Sequence, residues 1–118
     1  MEFCSDFRYD LELGNIKEKE LAEILSNKKI EVKYDRQAVD TGNVFIEYES
    51  RGKPSGLSTS ESDYYCVIIK ENIFIIIKTE ELKQKCRVYI SANHWRGRKK
   101  GGDNNTSIGV LLPLKDLI

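Results

Sequence analysis

The chain has 118 residues, enough for one domain (residues 1–118) that buries its own core without disulfides or structural metals. Its 19 basic and 19 acidic residues cancel, so net charge alone favours no class of charged partner. The longest apolar run, residues 73–77, is too short for a transmembrane helix, and the N-terminal residues lack the basic and apolar regions of a signal peptide, so we expect neither a membrane partner nor secretion.

The first predicted element is a helix over residues 15–26. Its apolar residues recur at helical spacing and form one stripe: Ile16, Leu21, Ala22, Ile24 and Leu25. Glu18 and Glu20 fall at the two edges of this stripe rather than opposite it. Either side chain could therefore reach a cleft between the helix and a sheet.

The next two predicted elements are strands that carry charges on one face. Residues 29–35 alternate strictly, which places Glu31, Lys33 and Asp35 on the same side. After a turn at residues 40–43, the strand over residues 44–49 places Glu47 on one face together with Glu49. We predict an antiparallel pair whose charged faces coincide. Like charges on such a face repel, and a bound cation would remove the repulsion.

The remaining elements complete a mixed α/β pattern. Two branched apolar runs predict central strands that are covered on both faces. Chain order indicates an α/β or α+β sandwich with a central mixed sheet flanked by helices. The predicted elements are a loop over residues 51–56, a short helix over 60–63, strands over 64–70 and 72–78, a helix over 79–86, a short strand over 88–91, a basic loop over 94–105, a strand over 107–112 and a terminal turn or helix over 113–118.

Basic and acidic residues are distributed unevenly along the chain. Residues 82–102 contain seven basic residues and no acidic one, whereas twelve acids lie in residues 1–49. This asymmetry fits a cation site beside a track for a polyanion. Basic side chains could contact phosphates, and Trp95 could stack on an exposed base. The candidate DNA-binding residues are Arg51, Lys53, Arg96, Arg98, Lys99 and Lys100.

The three cysteines, Cys4, Cys66 and Cys86, are widely spaced and form no Cys-x-x-Cys pair. A zinc site is therefore not expected. An odd number of cysteines without a disulfide framework indicates a reducing compartment, so we expect a cytoplasmic protein. Cys66 lies in an apolar strand and is expected to be a small buried hydrophobic residue.

These acids, in this order, resemble the PD-(D/E)xK nuclease superfamily. A helical Glu precedes Glu31-Val32-Lys33, Asp35 and Glu47, and the stretch TGNVFIEYESRGKPSGLSTSESDYY and the ending GVLLPLKDL are similar to its small phage-type members. The resemblance implies a restriction-endonuclease-like αβ sandwich. It also implies a Mg²⁺ or Mn²⁺ ion, held by carboxylates, that assists hydrolysis of a DNA phosphodiester bond.

The resemblance assigns roles to the charged residues, with two alternatives open. Asp35 and Glu47 would hold the metal, either Glu31 or the helical acid (Glu18 or Glu20) would complete its shell, and Lys33 would orient the attacking water. The residue two positions after Glu47 is Glu49, where the superfamily has lysine. Either Lys33 supplies that charge from the neighbouring strand, which we prefer, or Glu31-x-Lys33 is itself the motif and Asp10 is the upstream acid.

We therefore expect a magnesium-dependent endonuclease that recognises DNA by shape, including branched DNA. A homodimer that makes two cuts, as in Holliday junction resolvases, is expected by analogy. One alternative is a nuclease-fold DNA-binding or regulatory protein without activity, which the acid at position 49 motivates. Another is a protein-interaction module whose acidic face binds a basic partner.

Overall fold

The strands of the protein form two separate sheets, in a computed structural model that describes residues 2–118 and the side chains of residues 7–102 and 104–118. The α-helices in this part of the chain are α1 (Glu2–Asn27), α2 (Ala38–Thr41) and α3 (Thr79–Ser91). The strands are β1 (Ile30–Tyr34), β2 (Asn43–Ser50), β3 (Lys53–Pro54), β4 (Tyr64–Lys70), β5 (Ile73–Lys78), β6 (Lys99–Gly101) and β7 (Ser107–Pro113). Short 3₁₀ turns cover Gly56–Ser58, Trp95–Gly97, Asp103–Asn105 and Leu114–Leu117.

The first sheet has three strands in the order β1-β4-β5, and the second has four in the order β3-β2-β7-β6. β1 pairs with β4 in parallel, β5 pairs with β4 in antiparallel, and the four-stranded sheet is antiparallel throughout. The expected mixed α/β architecture is thus confirmed at the level of an α+β fold with a mixed sheet.

The predicted antiparallel pairing of β1 with β2 is wrong. The turn at residues 35–42 includes α2, and β2 pairs with β7 instead, with Val44 opposite Leu112 and Ile46 opposite Val110. These four side chains are buried, so pairing β2 with β7 joins two apolar surfaces. β1 is left to pair with the apolar strand β4 across a long connection.

The hydrophobic core lies between the inner faces of the two sheets. Tyr65, Val67 and Ile77 come from the three-stranded sheet, and α3 adds Leu82 and Cys86. Each fully buried aliphatic side chain contributes about 1.5–3 kcal/mol relative to an exposed one. The four-stranded sheet supplies Val44, Ile46, Val110 and Leu112. Ala38 of α2 and two residues of the 3₁₀ turns, Leu57 and Leu117, complete the cluster.

The helices are longer than predicted. α1 begins at Glu2 rather than at residue 15. α3 continues to Ser91, so the strand predicted over residues 88–91 is wrong. Leu82, Cys86 and Tyr89 follow one another at helical spacing and pack on the core, which explains why the helix continues.

Three further expectations are corrected. The predicted helix over residues 60–63 is absent there, because the hydroxyl of Ser62 bonds those of Ser60 and Thr79, and such side-chain bonds compete with helical ones. The predicted basic loop contains β6, which pairs with β7. β5 lies at a sheet edge with Phe74 exposed, so it is not covered on both faces.

Cys66 and Cys86 are buried free thiols, as expected for Cys66, while the side chain of Cys4 lies outside the described residues. Burial raises the pKa of Cys86 to about 12, so this thiol is not a reactive group at neutral pH. Within residues 2–118, no helix combines the length and apolar character that crossing a membrane requires.

Candidate active site

The charged face of β1 points toward the second sheet, and its apolar face points away. Glu31 lies opposite Tyr65 and Lys33 opposite Val67 across the β1–β4 ladder, and both partners are buried in the core. Cross-strand partners share a face, so Glu31 and Lys33 lie on the core side of the sheet. Val32, on the opposite face, is 61% exposed. Because the charged face of β1 is the one turned toward the core, two charges lie at the boundary of the core.

Glu31, Lys33 and Glu47 line one cavity of about 230 Å³. The first two residues come from the three-stranded sheet and Glu47 comes from β2 of the four-stranded sheet. The cavity therefore opens between the sheets, at the position where β1 and β2 approach without pairing. Its remaining lining consists of Val32, Ile46, Gly56, Leu57 and Tyr65.

A serine hydroxyl contacts each of the two carboxylates. Ser60 Oγ donates to Glu31 Oε1 at 2.9 Å, and Ser55 Oγ donates to Glu47 Oε2 at 2.8 Å. In each carboxylate these bonds occupy one oxygen and orient the group. Neither serine is near its glutamate in the chain, so the sequence does not predict either contact.

Glu47 is held in its ionised form by its surroundings. Hydrogen bonding from Ser107 is the largest influence and lowers its pKa below the ordinary value of 4.5. Burial raises the pKa, whereas Ser55 and the positive charge of Lys33 lower it further, and the lowering influences prevail. Glu47 is therefore available as an anionic oxygen ligand at neutral pH.

Gly56 brings the Ser55 turn against β2. Its φ is +53°, and a Cβ at this position would collide with the backbone oxygen of Glu47. Only glycine fits such an approach without strain. The close approach is what allows Ser55 to reach the Glu47 carboxylate.

Tyr65 adds a neutral hydroxyl to the cavity lining. Burial is the main cause that raises its pKa above 10.0, and the negative charges of Glu31 and Glu47 raise it as well. The phenol is therefore protonated at neutral pH. No sequence pattern marks Tyr65 as a site residue, since its position beside Glu31 depends on the parallel pairing of β1 with β4.

Asp35 has a structural position at the end of β1. Its Oδ1 accepts a hydrogen bond from the backbone N–H of Gln37 at 3.1 Å, and its Oδ2 accepts one from Phe45 at 2.9 Å. Asp35 is not part of the lining of the cavity that holds Glu31, Lys33 and Glu47. In the structure its carboxylate connects to the turn between β1 and β2, and its expected role as a metal ligand stays a prediction.

The acids of α1 lie apart from this cavity. Glu18 and Asp10 are exposed, and Glu20 pairs with Lys17 at 3.5 Å. Glu20 lines a different cavity, which α1 forms against β5 and the C-terminal residues. The expected helical ligand is thus not brought to the site, because the contact of α1 with the body lies on the outer side of the three-stranded sheet.

The cavity offers two carboxylates. Among the residues whose side chains are described, no group of three or more His, Cys, Asp or Glu side chains is placed to hold a metal ion. Mg²⁺ is commonly bound by one or two carboxylates, with water and substrate phosphate as the other ligands. Glu31 and Glu47 match a Mg²⁺ site in which water and substrate supply the other ligands. They are too few for a site in which the protein supplies every ligand.

Basic and aromatic side chains lie next to Glu47 on the outer face of the four-stranded sheet. Lys99 of β6 and Glu47 of β2 both lie opposite Gly109 of β7, so the two charged residues share a face. The ring of Phe45 lies over Gly109, where a Cβ would come within 2.7 Å of it. Lys33 Nζ lies 6.0 Å from the centre of the same ring.

Trp95 holds two cations beside this face. The guanidinium carbon of Arg96 lies 4.5 Å from the Trp95 ring centre, and Lys99 Nζ lies 5.5 Å from it. Arg96 Nη1 also donates to Asn43 Oδ1 at 2.7 Å and to the backbone oxygen of Leu111 at 3.1 Å. Arg96 is thus held in place by hydrogen bonds. The Trp95 indole contacts these two cations, whereas the sequence suggested that it could stack on an exposed base.

The other predicted DNA-binding residues lie elsewhere. Arg98 is 3.9 Å from Glu49 in an exposed ion pair. Lys100 lies opposite Ile108, on the face opposite to that of Lys99. Arg51 and Lys53 are exposed at the turn that joins β2 to β3. The strand β6 therefore places neighbouring basic side chains on opposite faces of the sheet. The loop predicted over residues 94–105 did not include this strand.

Comparison of the chain with protein-family models, with curated proteins and with solved structures finds no match.

Proposed function

We propose that this protein is a metal-dependent nuclease that hydrolyses phosphodiester bonds of DNA, with Glu31, Lys33 and Glu47 as its active site. The observation that supports the proposal is the cavity of about 230 Å³ that these three residues line together, beside a face with fixed cations. Membership of the PD-(D/E)xK superfamily, with its restriction-endonuclease-like fold, is part of the proposal and is supported by the ordered set Glu31-x-Lys33 and Glu47.

Glu31 and Glu47 would hold the divalent cation, Mg²⁺ or Mn²⁺, through the carboxylate oxygens that the two serines leave available. The chemistry that such a cation supplies is stabilisation of negative charge on the phosphate and activation of a water molecule. Ser60 orients the Glu31 carboxylate, whereas Ser55 and Ser107 act on Glu47 and lower its pKa.

Lys33 would supply the fixed positive charge of the site. It shares the cavity with both glutamates and lies close enough to lower the pKa of Glu47. An ammonium in this position can hold a water or a phosphate oxygen by hydrogen bonding and can oppose the negative charge that develops during hydrolysis. The protonated hydroxyl of Tyr65 is a second donor in the same cavity.

The acid at position 49 is consistent with this assignment. Glu49 pairs with Arg98, outside the cavity lining, so a lysine in that position of the chain is not required for the site. Lys33, on β1, would supply the positive charge that this lysine provides in the superfamily. This assignment combines the Glu31-x-Lys33 motif with Glu47 and leaves Asp10 and Asp35 outside the metal site.

Arg96 and Lys99 would bind the DNA backbone. Both are held beside Trp95, and Lys99 lies on the same face as Glu47. Cations that are positioned before binding lose less conformational freedom when phosphates arrive. A strand that crosses this face toward Lys33 would bring a phosphate to the two glutamates.

The test is a cleavage assay with linear duplex, single-stranded, flap and four-way-junction DNA, in Mg²⁺, Mn²⁺ or EDTA. The Glu47→Gln and Glu31→Gln variants should each lose activity by roughly 100-fold or more, because each removes an anionic oxygen at the site. Glu49→Gln is the matched control, on the same strand but outside the cavity, and should keep near-parental activity. A parent protein that cuts none of these substrates in either metal would refute the enzyme assignment.

A second candidate function is DNA binding without cleavage. The specific observation in its favour is that the described residues supply two carboxylates, and no larger metal-binding group, to the cavity. Under this alternative, the parent binds DNA equally well in EDTA and in Mg²⁺, and calorimetry with Mn²⁺ detects no site that depends on Glu31 and Glu47.

A further inference from the structure

The outer face of the three-stranded sheet, opposite to Glu31 and Lys33, is apolar, and it is exposed on the edge strands β1 and β5 while Cys66 on the central strand is buried. Two rows of side chains cross it from β1 through β4 to β5: Tyr34, Ile68 and Phe74 in one row, and Val32, Cys66 and Ile76 in the other. Val32 is 61% exposed and Phe74 is 58% exposed. A contiguous apolar face of this kind on a monomer marks a surface that binds something.

The N-terminal half of α1 is a second apolar surface, with exposed side chains from Phe7 to Ile16 in the described part of the chain. Ile24, near the end of the helix, is buried, and the same helical face continues as Ile16, Leu13 and Tyr9. Ile16 is 59% exposed and Tyr9 is 66% exposed. The cavity between α1 and the body is lined only by the later α1 residues Lys17, Glu20, Leu21 and Ile24.

The dimensions of the chain agree with a projecting helix. The radius of gyration is 17.2 Å, compared with about 13–14 Å for a compact domain of this length. The projecting half of α1 continues the helix whose later half contacts the body, and it leaves its apolar side chains exposed.

We propose that the protein forms a two-fold symmetric dimer in which the N-terminal half of α1 of each copy packs on the outer face of the other copy's three-stranded sheet. A second copy of the chain brings both surfaces at once, which is the requirement for a closed isologous interface. The margins are also complementary: the projecting half of α1 carries Asp10 and Glu12, and Lys78 lies at one end of the sheet face.

The exposed apolar area is sufficient for such a dimer. Three α1 side chains on one side of the helix and three exposed ones on the sheet face, with roughly 100 Å² available on each, give about 1,200 Å² for two symmetric contacts, at the lower end of the range of stable interfaces. The α1 residues are Tyr9, Leu13 and Ile16, and the sheet residues are Val32, Tyr34 and Phe74.

The interface and the proposed active site use opposite faces of β1 and share only Val32, so Ile16→Glu on α1 tests the interface without changing a residue of the cavity lining. Val32 would be covered by the partner, while the neighbouring Lys33 faces the cavity between the sheets. Both cavities of the dimer would stay open. Failure of the cleavage assay and failure of dimerisation would therefore be separate results.

The first experiment is sedimentation velocity of the full chain over a range of protein concentrations, with circular dichroism as a check of folding. The parent should sediment as a dimer at micromolar concentration. Ile16→Glu on α1 and Val32→Glu on the sheet face should each raise the dimer dissociation constant at least about 30-fold, as expected for central interface residues. Val88→Glu, at an equally exposed apolar position on α3, is the matched control and should remain dimeric.

A mixing experiment identifies which surfaces meet. The I16E variant keeps an intact sheet face and the V32E variant keeps an intact α1, so a one-to-one mixture restores one of the two contacts and should form heterodimers. Pairing of α1 with α1 alone would give no such rescue and would overturn the proposal. A parent that is monomeric at 100-fold higher concentration, or a V88E variant that dissociates as readily as I16E, would overturn it too.

Discussion

The carboxylate of Asp35 accepts a hydrogen bond from the backbone N–H of Phe45, with 2.9 Å between Oδ2 and N. β1 and β2 belong to different sheets, so no ladder of backbone hydrogen bonds sets their relative position. This side-chain bond connects the end of the strand that carries Glu31 and Lys33 to the strand that carries Glu47. Asp35 is thus a positioning residue for the cavity.

Replacing Asp35 with alanine should reduce the stability of the fold. The Asp35→Ala variant leaves the partly buried N–H of Phe45 without its acceptor, at a cost of about 1–3 kcal/mol. The Asp35→Asn variant keeps one acceptor oxygen and should lose less. Urea unfolding of both variants, beside the exposed-site control Asp40→Ala, measures the difference. Equal stability of the D35A and D40A variants would contradict the assigned role.

The pKa of Glu47 should depend on Ser107 more than on Ser55. Because the folded-state pKa lies below the ordinary 4.5, ionised Glu47 contributes stability that is present above pH 4.5 and is lost as the pH falls through the folded-state value. The Ser107→Ala variant should raise the pKa toward 4.5, and Ser55→Ala should raise it by a smaller amount. NMR titration of the carboxyl carbon measures both shifts.

The order of the two shifts is the test of this electrostatic assignment. A pKa of Glu47 that is unchanged by S107A, or that rises more in S55A, would contradict it. If the protein is a nuclease, the acidic limb of its pH–rate profile should move to higher pH in S107A, since the cation requires the ionised carboxylate.

Gly56 and Gly52 form a matched pair for the turn beside Glu47. Both have positive φ, +53° and +78°, but a Cβ at Gly56 would meet the Glu47 backbone whereas one at Gly52 meets nothing within 4 Å. Gly52→Ala should cost about 1–2 kcal/mol from the left-handed backbone alone. Gly56→Ala should cost more and should also weaken any Glu47-dependent metal binding. Thermal unfolding compares the two, and equal losses would argue against the close approach.

Lys99 and Lys100 test which face of the four-stranded sheet binds DNA, because strand alternation places them on opposite faces. Lys99→Ala should weaken binding of short duplexes to all sequences alike and lower the slope of log K against log salt concentration by about 1. Lys100→Ala should leave that slope closer to the parental value. Fluorescence anisotropy at several salt concentrations measures both. A larger effect of K100A would place the nucleic acid on the other face.

The strands are the part of the fold that the sequence predicts best. Alternation over residues 29–35 and 44–49 and the branched runs after Tyr64 and Asn72 predict β1, β2, β4 and β5 to within a residue or two. Such patterns depend only on which face of a strand is apolar. They carry no information about which strand is the neighbour. Pairing β1 with β4 requires a contact across more than 30 residues, and the nearer strand β2 was the simpler expectation.

The site was predictable in its charges and not in its geometry. Glu31, Lys33 and Glu47 were selected because charges recur on one face of each strand, and they share a cavity. The hydrogen bonds of Asp35 with Gln37 and Phe45 could not be predicted from the sequence, because they depend on the turn that follows β1. The N-terminal half of α1 was missed because its apolar residues lie on two sides of the helix, so no single stripe marks it.

Glu31 and Glu47 are attached to different sheets, and this has a consequence for how the protein can change. Their separation depends on buried aliphatic residues packed between the sheets, such as Leu57 and Val67, rather than on the repeat of a strand. Substituting those residues by larger or smaller ones would widen or narrow the acidic cleft with every charged side chain retained. Mutations of interior residues, away from the carboxylates themselves, can therefore change which ion radius the cleft prefers.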